Sequence, residues 1–157
     1  MFRWWPGREW SADCKAADQD SKYKGDEHLI ADRAWKNGGH RWSMMREQRI
    51  GDWYELNLKK TRIISRIEAI SDIDNSPLKY KLLIQPTERS EWVEVGDRNG
   101  PIDYEFQKPS PVFMLRFEII KPRTEPIGAV GSPAWSINDI RLTEVRLFKR
   151  WWKSIIN

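Results

Sequence analysis

A short glycine-containing segment at 35–42, WKNGGHRW, combines flat aromatic rings with polar side chains. Trp35 can stack against the apolar face of a sugar ring, and Asn37, His40 and Arg41 can pair with its hydroxyl groups. Glycine lets such a segment take loop conformations that other residues avoid. The segment therefore predicts a carbohydrate-binding loop, with these four side chains as its contacts.

Further candidates for ligand contact lie elsewhere in the chain. Asp74 and Asn75 fall in a turn-forming DNSP stretch, where their side chains would add hydrogen-bonding groups, and Trp135 would add another aromatic surface. Arg116 has two interpretations, a ligand contact or an ion pair at the edge of the core. The sequence leaves both interpretations open.

Tryptophan is unusually abundant, with ten in 157 residues. Because these large rings are commonly buried, burial in the core is the main alternative to a ligand-binding role. We expect core positions for Trp42 and Trp53, whereas Trp35 is equally suited to either role.

Both ends of the chain carry a tryptophan pair beside basic residues, Trp4-Trp5 and Trp151-Trp152. Three interpretations fit this pattern. The pairs could rest on an anionic membrane surface, because Trp favours the interface and Lys and Arg are attracted to it. They could form a protein interface, where Trp and Arg are favoured anchors, or they could fold back on the domain and close it.

Motifs for catalysis are missing. The chain has no Gly-x-Ser-x-Gly, no His-Glu-x-x-His and no glycine-rich phosphate loop. His28 and His40 are isolated from each other, and the single cysteine, Cys14, cannot form an intramolecular disulfide. These features predict a protein that is not an enzyme.

The composition is typical of one folded domain, with 39% hydrophobic and 32% charged residues and a formal net charge of +4. Acidic residues interrupt the basic ones along the strands, which argues against nucleic acid as a partner. The first residues lack the apolar stretch of a secretion signal. This predicts a cytoplasmic protein, unless the chain is a fragment of an exported one.

Alternation of apolar and polar residues with a period of two runs through most of the chain, as in half-buried β-strands. Turn-forming Gly, Pro, Asn and Asp residues separate the alternating segments at 74–77, 96–101, 108–111 and 131–133. The pattern predicts an all-β sandwich or barrel. The expected strands are 53–58, 62–70, 78–84, 91–95, 102–106, 112–120 and 137–148.

Several segments in this order resemble the discoidin domains, also called factor V/VIII type C or galactose-binding-like domains. The similar motifs are GDWYELNL at 51–58, RIISRIEAI at 62–70, SEWVEV at 90–95, FMLRF at 113–117 and LTEVRLF at 142–148. The resemblance implies a jelly-roll sandwich of two antiparallel sheets that binds ligands through loops at one end. It spans most of the chain and divides it into an extension at 1–20, the domain at 21–148 and an extension at 149–157.

The family often holds a structural calcium ion, and the resemblance makes Asp32 and Glu144 candidate ligands. Calcium takes six to eight oxygen ligands, so loop carbonyls would have to supply the rest. The family's Asp-Gly-Asx-x-x-Thr segment is replaced here by DRAWKN at 32–37. An ordinary ion pair with arginine is the alternative for each acid.

We therefore expect a non-catalytic recognition module that binds carbohydrate through the loops around 35–42 and 72–75. An adaptor domain that binds another protein inside the cell is the second interpretation. A peripheral membrane protein that attaches through its terminal tryptophans and arginines is the third.

Overall fold

The computed structural model describes residues 10–17, 28–30, 42–44, 46–71, 75–125, 134–137 and 139–145. Within these ranges the chain forms β-strands and contains no helix, so the all-β prediction is confirmed. The strands are β1 (Trp10–Ala16), β2 (His28–Ile30), β3 (Trp42–Ser43), β4 (Trp53–Ile70), β5 (Lys79–Gln85), β6 (Val93–Asn99), β7 (Ile102–Lys121), β8 (Ser136–Ile137) and β9 (Asp139–Glu144).

Two long antiparallel strands, β4 and β7, form the spine of the domain. They pair from Trp53 opposite Glu118 to Ala69 opposite Ile102, with register shifts after Asn57 and after Ile64. At the first shift Lys59 has a φ of 64°, and the Asn57 Oδ1 accepts a hydrogen bond of 2.8 Å from the Lys59 amide. A left-handed residue and a side-chain-stabilised turn bend the strand without ending it.

The bend divides β4 and β7 between the two layers of the sandwich. The first layer contains the first half of β4 and the second half of β7, and the second layer contains their other halves. The main sheet has the order β2-β1-β4-β7-β5-β6. The first half of β4 pairs with β1, whereas its second half pairs with β9. In the first layer, the second half of β7 pairs with β5. Strands β3 and β8 form a small sheet of their own.

Alternation along each strand places one set of side chains in a common core. Tyr54, Leu56 and Leu58 of β4 are buried, as are Leu115 and Phe117 of β7. The second layer contributes the buried residues Ile64, Ile67, Ala69, Ile102, Tyr104, Phe106, Ile140 and Leu142. Burial of these apolar surfaces is the main force that holds the layers together.

Two hydrogen bonds join the layers at the margin of the core. The Asp103 amide of β7 donates to the Tyr80 hydroxyl of β5 at 3.2 Å, and the Tyr104 hydroxyl donates to the Val95 carbonyl of β6 at 3.2 Å. Each bond satisfies a polar group where water is largely excluded, and burial also raises the pKa of Tyr80 to about 12.

Several predicted strand boundaries were wrong. The segments 53–58 and 62–70 are one strand, and so are 102–106 and 112–120. The PSP stretch at 109–111, predicted as a turn, lies inside β7, where Ser110 and Pro111 are opposite Ile64 and Ile63. Proline lacks an amide donor and is tolerated in a sheet at irregular positions, and here it adjoins the register shifts.

Other differences are smaller. Strand β6 begins at Val93 and continues to Asn99, and the last predicted strand is divided into β8 and β9. Strands β1, β2 and β3 were not predicted from the sequence. No helix among the residues that the structure describes is long and apolar enough to cross a membrane.

Candidate functional site

The corner that leads into β4 is fixed by a single buried carboxylate. Asp52 accepts hydrogen bonds from Arg46 Nη1 at 2.9 Å, from Arg46 Nη2 at 2.7 Å and from the Arg49 amide at 2.7 Å. The Asp52 amide returns a bond of 3.1 Å to the Arg49 carbonyl, and Gly51 takes a φ of 85° in this turn. A bidentate arginine and a tight turn together hold the corner in one conformation.

Gln48 connects this corner to two other loops at the same end of the sandwich. Its side chain is buried; Nε2 donates to the Asn75 carbonyl at 3.3 Å, and Oε1 accepts from the Arg123 amide at 3.0 Å. Arg123 Nε in turn donates to the Ser76 carbonyl at 3.2 Å. The loops before β4, between β4 and β5, and after β7 are therefore braced against one another.

A serine cluster brings together the ends of three strands at this end of the sandwich. Ser43 of β3 lies opposite Ser136 of β8, and the Ser71 hydroxyl at the end of β4 donates to the Ser136 carbonyl. The segment at 35–42 runs into β3, and the segment at 72–75 leaves β4 directly after Ser71. The end of one candidate binding loop and the start of the other therefore lie at adjacent strand ends.

Many predicted site residues lie outside the described ranges. These are the loop residues Trp35, Asn37, His40, Arg41 and Asp74, the metal candidate Asp32, and the terminal residues Trp4, Trp5, Trp151 and Trp152. Their roles stay predictions, as do the protein and membrane interpretations that depend on the terminal tryptophans.

The structure places Trp135 and Asn75 at this end of the sandwich. The Trp135 ring is completely buried and packs edge-on against Tyr54, with 6.4 Å between ring centroids. That is the environment of a core residue. Asn75 is half-buried, and its carbonyl is the group that Gln48 binds.

Glu144, the second metal candidate, faces an arginine. Both of its carboxylate oxygens accept from Arg62 Nη1, at 3.3 and 3.4 Å. Among the residues that the structure describes, no cluster of three metal-ligating side chains occurs. The described residues thus do not supply a carboxylate set for calcium, and the calcium hypothesis stays a prediction that depends on Asp32.

Arg116 lies between the indole rings of Trp53 and Trp92 on the outer face of the first layer. The prediction of a core position for Trp53 was wrong, because its side chain is half-buried on this outer face. Its Nε and Nη2 donate to Oε2 of Glu55 at 3.0 and 2.7 Å. Its Cζ is 4.9 Å from the ring centroid of Trp53 and 4.7 Å from that of Trp92. Of the two interpretations of Arg116, the structure shows the ion pair, and it adds cation–π contacts on both sides.

The partner ring Trp92 was not singled out from the sequence. Arg116 is opposite Glu55 on one side and Leu83 on the other, and Leu83 is opposite Glu94. Trp92 therefore reaches Arg116 across an intervening strand. Its position directly before the alternating stretch that begins at Val93 is the only local indication of the sheet face on which Trp92 lies. Nothing local in the sequence indicates that it lies close to Arg116.

The charges around this cluster are paired across strands. Lys81 Nζ lies 3.0 Å from Glu118 Oε1, and Lys79 Nζ lies 2.9 Å from Asp97 Oδ2. Each pair joins β5 to a neighbouring strand. Lys79 and Lys81 are thus each compensated, and the exposed Glu94, opposite Leu83, adds a negative charge to this face.

A second bidentate arginine lies on the outer face of the other layer. Arg66 Nε and Nη2 donate to the two carboxylate oxygens of Asp103 at 2.9 and 2.8 Å, and Arg66 Nη2 is 3.3 Å from Glu68. The guanidinium lowers the pKa of Asp103, and hydrogen bonding to that carboxylate raises the pKa of Arg66. Arg66 stacks on no aromatic ring among the described residues.

Several solved structures have a fold similar to that of this chain. The family 32 carbohydrate-binding module of Clostridium perfringens NanJ, in complex with galactose, matches with a TM-score of 0.55 and 14% identity. The match covers 86% of this chain and 98% of the module. The chain has the galactose-binding-like fold. The predicted two-sheet antiparallel jelly-roll sandwich is confirmed.

Two modules of a chitosanase/glucanase from Paenibacillus sp. IK-5 match this chain with slightly higher TM-scores. Chitosan-binding module 1 gives a TM-score of 0.61 at 13% identity, covering 86% of this chain and 96% of the module. Chitosan-binding module 2, in complex with chitotriose, gives 0.60 at 15% identity, covering 85% and 97%. No protein-family model and no curated protein matches the sequence.

Proposed function

We propose that this protein is a non-catalytic carbohydrate-binding module. The sugar binds at the braced end of the sandwich, in the loops around 35–42 and 72–75. The main supporting observation is the serine cluster. It places the end of the 35–42 segment and the start of the 72–75 segment at adjacent strand ends. The fold adds support, since the similar modules from Clostridium and Paenibacillus were solved with galactose and with chitotriose.

The chemistry of the two loops suits this role. One supplies the aromatic ring of Trp35 with Asn37, His40 and Arg41, and the other supplies Asp74 and Asn75. Stacking on an aromatic ring and hydrogen bonds from a few polar groups are what sugar binding needs. Braces at Gln48 and Asp52 hold the neighbouring backbone still, so that less entropy is lost when a ligand binds.

Isothermal titration calorimetry with galactose and with chitotriose, followed by a glycan array, tests the proposal. We expect Trp35→Ala to weaken binding at least about tenfold, as truncation of an aromatic anchor does. Lys108→Ala, an exposed residue at the bend of β7, is the matched control and should bind as wild type. Absence of binding to any glycan, or unchanged affinity in Trp35→Ala, would refute the proposal.

A further inference from the structure

The outer face of the first layer carries a group of four residues that the loop-end site does not use. We call Trp53, Glu55, Trp92 and Arg116 the indole–arginine cluster. We propose that this cluster is a second carbohydrate-contact surface, separate from the loops, which takes a neutral oligosaccharide. The inference rests on the proposed function, because it assigns a second site to the same kind of ligand.

Hydrogen-bonding groups of the cluster remain available. Arg116 uses Nε and Nη2 on a single oxygen of Glu55, so Arg116 Nη1 and Glu55 Oε1 make no hydrogen bond within the described part of the chain. The side chains are 28% and 8% exposed, respectively. The pair therefore holds a partly exposed guanidinium donor beside a largely buried carboxylate acceptor in fixed geometry, an arrangement that could pair with a sugar hydroxyl at its rim.

The aromatic rings supply the apolar part of the surface. Trp53 and Trp92 are both half-buried, and each is held within 5 Å of the same guanidinium carbon. A ring that is already fixed loses little conformational entropy when a ligand stacks against it or along its edge. Two such rings flanking a hydrogen-bonding pair form an extended surface, which suits a chain of sugars better than a single sugar.

The charges of this face disfavour an acidic ligand, because its three cationic side chains are each paired and Glu94 adds a negative charge. Arg116 is compensated by Glu55, Lys81 by Glu118 and Lys79 by Asp97. An acidic glycan would gain no net attraction from this face and would have to approach its carboxylates. Binding by hydrogen bonds and stacking is also insensitive to salt, so the salt dependence of the affinity is a second test of the proposal.

The other layer offers a matched control. Arg66 also donates through Nε and Nη2 to a carboxylate, that of Asp103, on an outer sheet face, with no aromatic ring on Arg66 among the described residues. If hydrogen bonds to an arginine–carboxylate pair sufficed for binding, both faces would bind. If the flanking indoles are needed, only the indole–arginine cluster binds.

The experiment is an NMR titration of ¹⁵N-labelled protein with neutral β-1,4-linked hexasaccharides of glucose, xylose and N-acetylglucosamine. The indole N–H signals of Trp53 and Trp92 are followed in wild type and in the variants Trp92→Ala, Arg66→Gln and Trp35→Ala. Amide spectra report whether each variant is folded, and Trp53→Phe serves as a second, milder change to the cluster.

We expect at least one hexasaccharide to shift both indole signals in wild type, in Arg66→Gln and in Trp35→Ala. In Trp92→Ala the affinity measured at the Trp53 signal should fall about tenfold or more. Raising NaCl from 0.05 to 0.5 M should leave the wild-type affinity within about twofold, since no net charge is neutralised.

Three results would overturn the inference. These are indole signals that no hexasaccharide moves, an affinity that Trp92→Ala leaves unchanged, or binding that salt abolishes. The loop-end proposal is tested separately by the Trp35→Ala arm. Loss of the Trp53 and Trp92 shifts in Trp35→Ala would reject the second surface, whereas shifts that survive Trp35→Ala but not Trp92→Ala would support it. The loop-end site is judged by the calorimetry of Trp35→Ala, whatever the indole signals show.

Discussion

Two arginines of the sandwich, Arg116 and Arg66, each donate two hydrogen bonds to a carboxylate, but in different surroundings. Both join β4 to β7, and their shortest nitrogen–oxygen distances are 2.7 Å for Arg116–Glu55 and 2.8 Å for Arg66–Asp103. The side chains of the first pair are 28% and 8% exposed, whereas those of the second are 43% and 51% exposed. Only the first arginine has aromatic rings on its sides among the described residues.

Distance alone therefore does not measure what an ion pair contributes. Water and salt screen an exposed pair, and ordering two side chains costs entropy, so such pairs contribute little. A pair shielded by indole rings is screened less, and removal of one partner leaves a charge in a poorly solvated place. The comparison predicts that the two pairs differ in stability and in salt response.

The largest expected difference is in stability. Replacing Glu55 with Gln should lower the free energy of unfolding by about 2 kcal/mol, because Arg116 would remain shielded without its carboxylate. Replacing Asp103 with Asn should cost less than about 1 kcal/mol. Urea unfolding at pH 7, monitored by circular dichroism, measures both values, and equal losses in the two variants would contradict the comparison.

The next difference concerns salt. A double-mutant cycle on Arg116 and Glu55 should give a coupling energy that changes little between 0.05 and 1 M NaCl, since shielded pairs are weakly screened. The same cycle on Arg66 and Asp103 should lose most of its coupling at 1 M NaCl. If both cycles respond alike, the indole rings do not shield Arg116.

The smallest expected effect concerns the exposed Arg66–Asp103 pair alone, in acid. Arg66 holds the pKa of Asp103 below its usual value, so Asp103 stabilises the fold above the unfolded pKa of about 3.9. This contribution is lost as the pH falls through the lower folded pKa. Asp103→Asn should therefore lose less stability than wild type between about pH 5 and pH 2, as measured by urea midpoints, and parallel curves would show that Asp103 has no such role.

The core could be predicted from the sequence to a large extent. The apolar alternation in 53–58 and 78–84 puts Tyr54, Leu56, Tyr80 and Leu82 on one face of their strands, because a strand's side chains have a fixed period of two, and all four are buried. The bends of β4 and β7 could not be predicted in the same way. Whether a segment with Pro or Lys turns or continues depends on the strand that lies beside it.

The candidate site, like the fold, could be predicted from the sequence only in part. Arg116 was recognised as a functional or ion-paired residue, but its partner Trp92 was not, because the two are separated by Leu83 of a third strand. The brace at Gln48 and the serine cluster also escaped prediction. Each joins residues from loops or strand ends far apart in the chain, and no local pattern encodes those contacts.

By itself, the sequence determined that the chain folds as β-strands, which side of most strands faces the core, and which residues could contact a sugar. Those properties follow from the identity and spacing of neighbouring residues. The tertiary structure alone decided that Arg116 lies between two indole rings and that Arg66 is exposed to water. Register between distant strands sets that outcome, because it determines which side chains meet on a face.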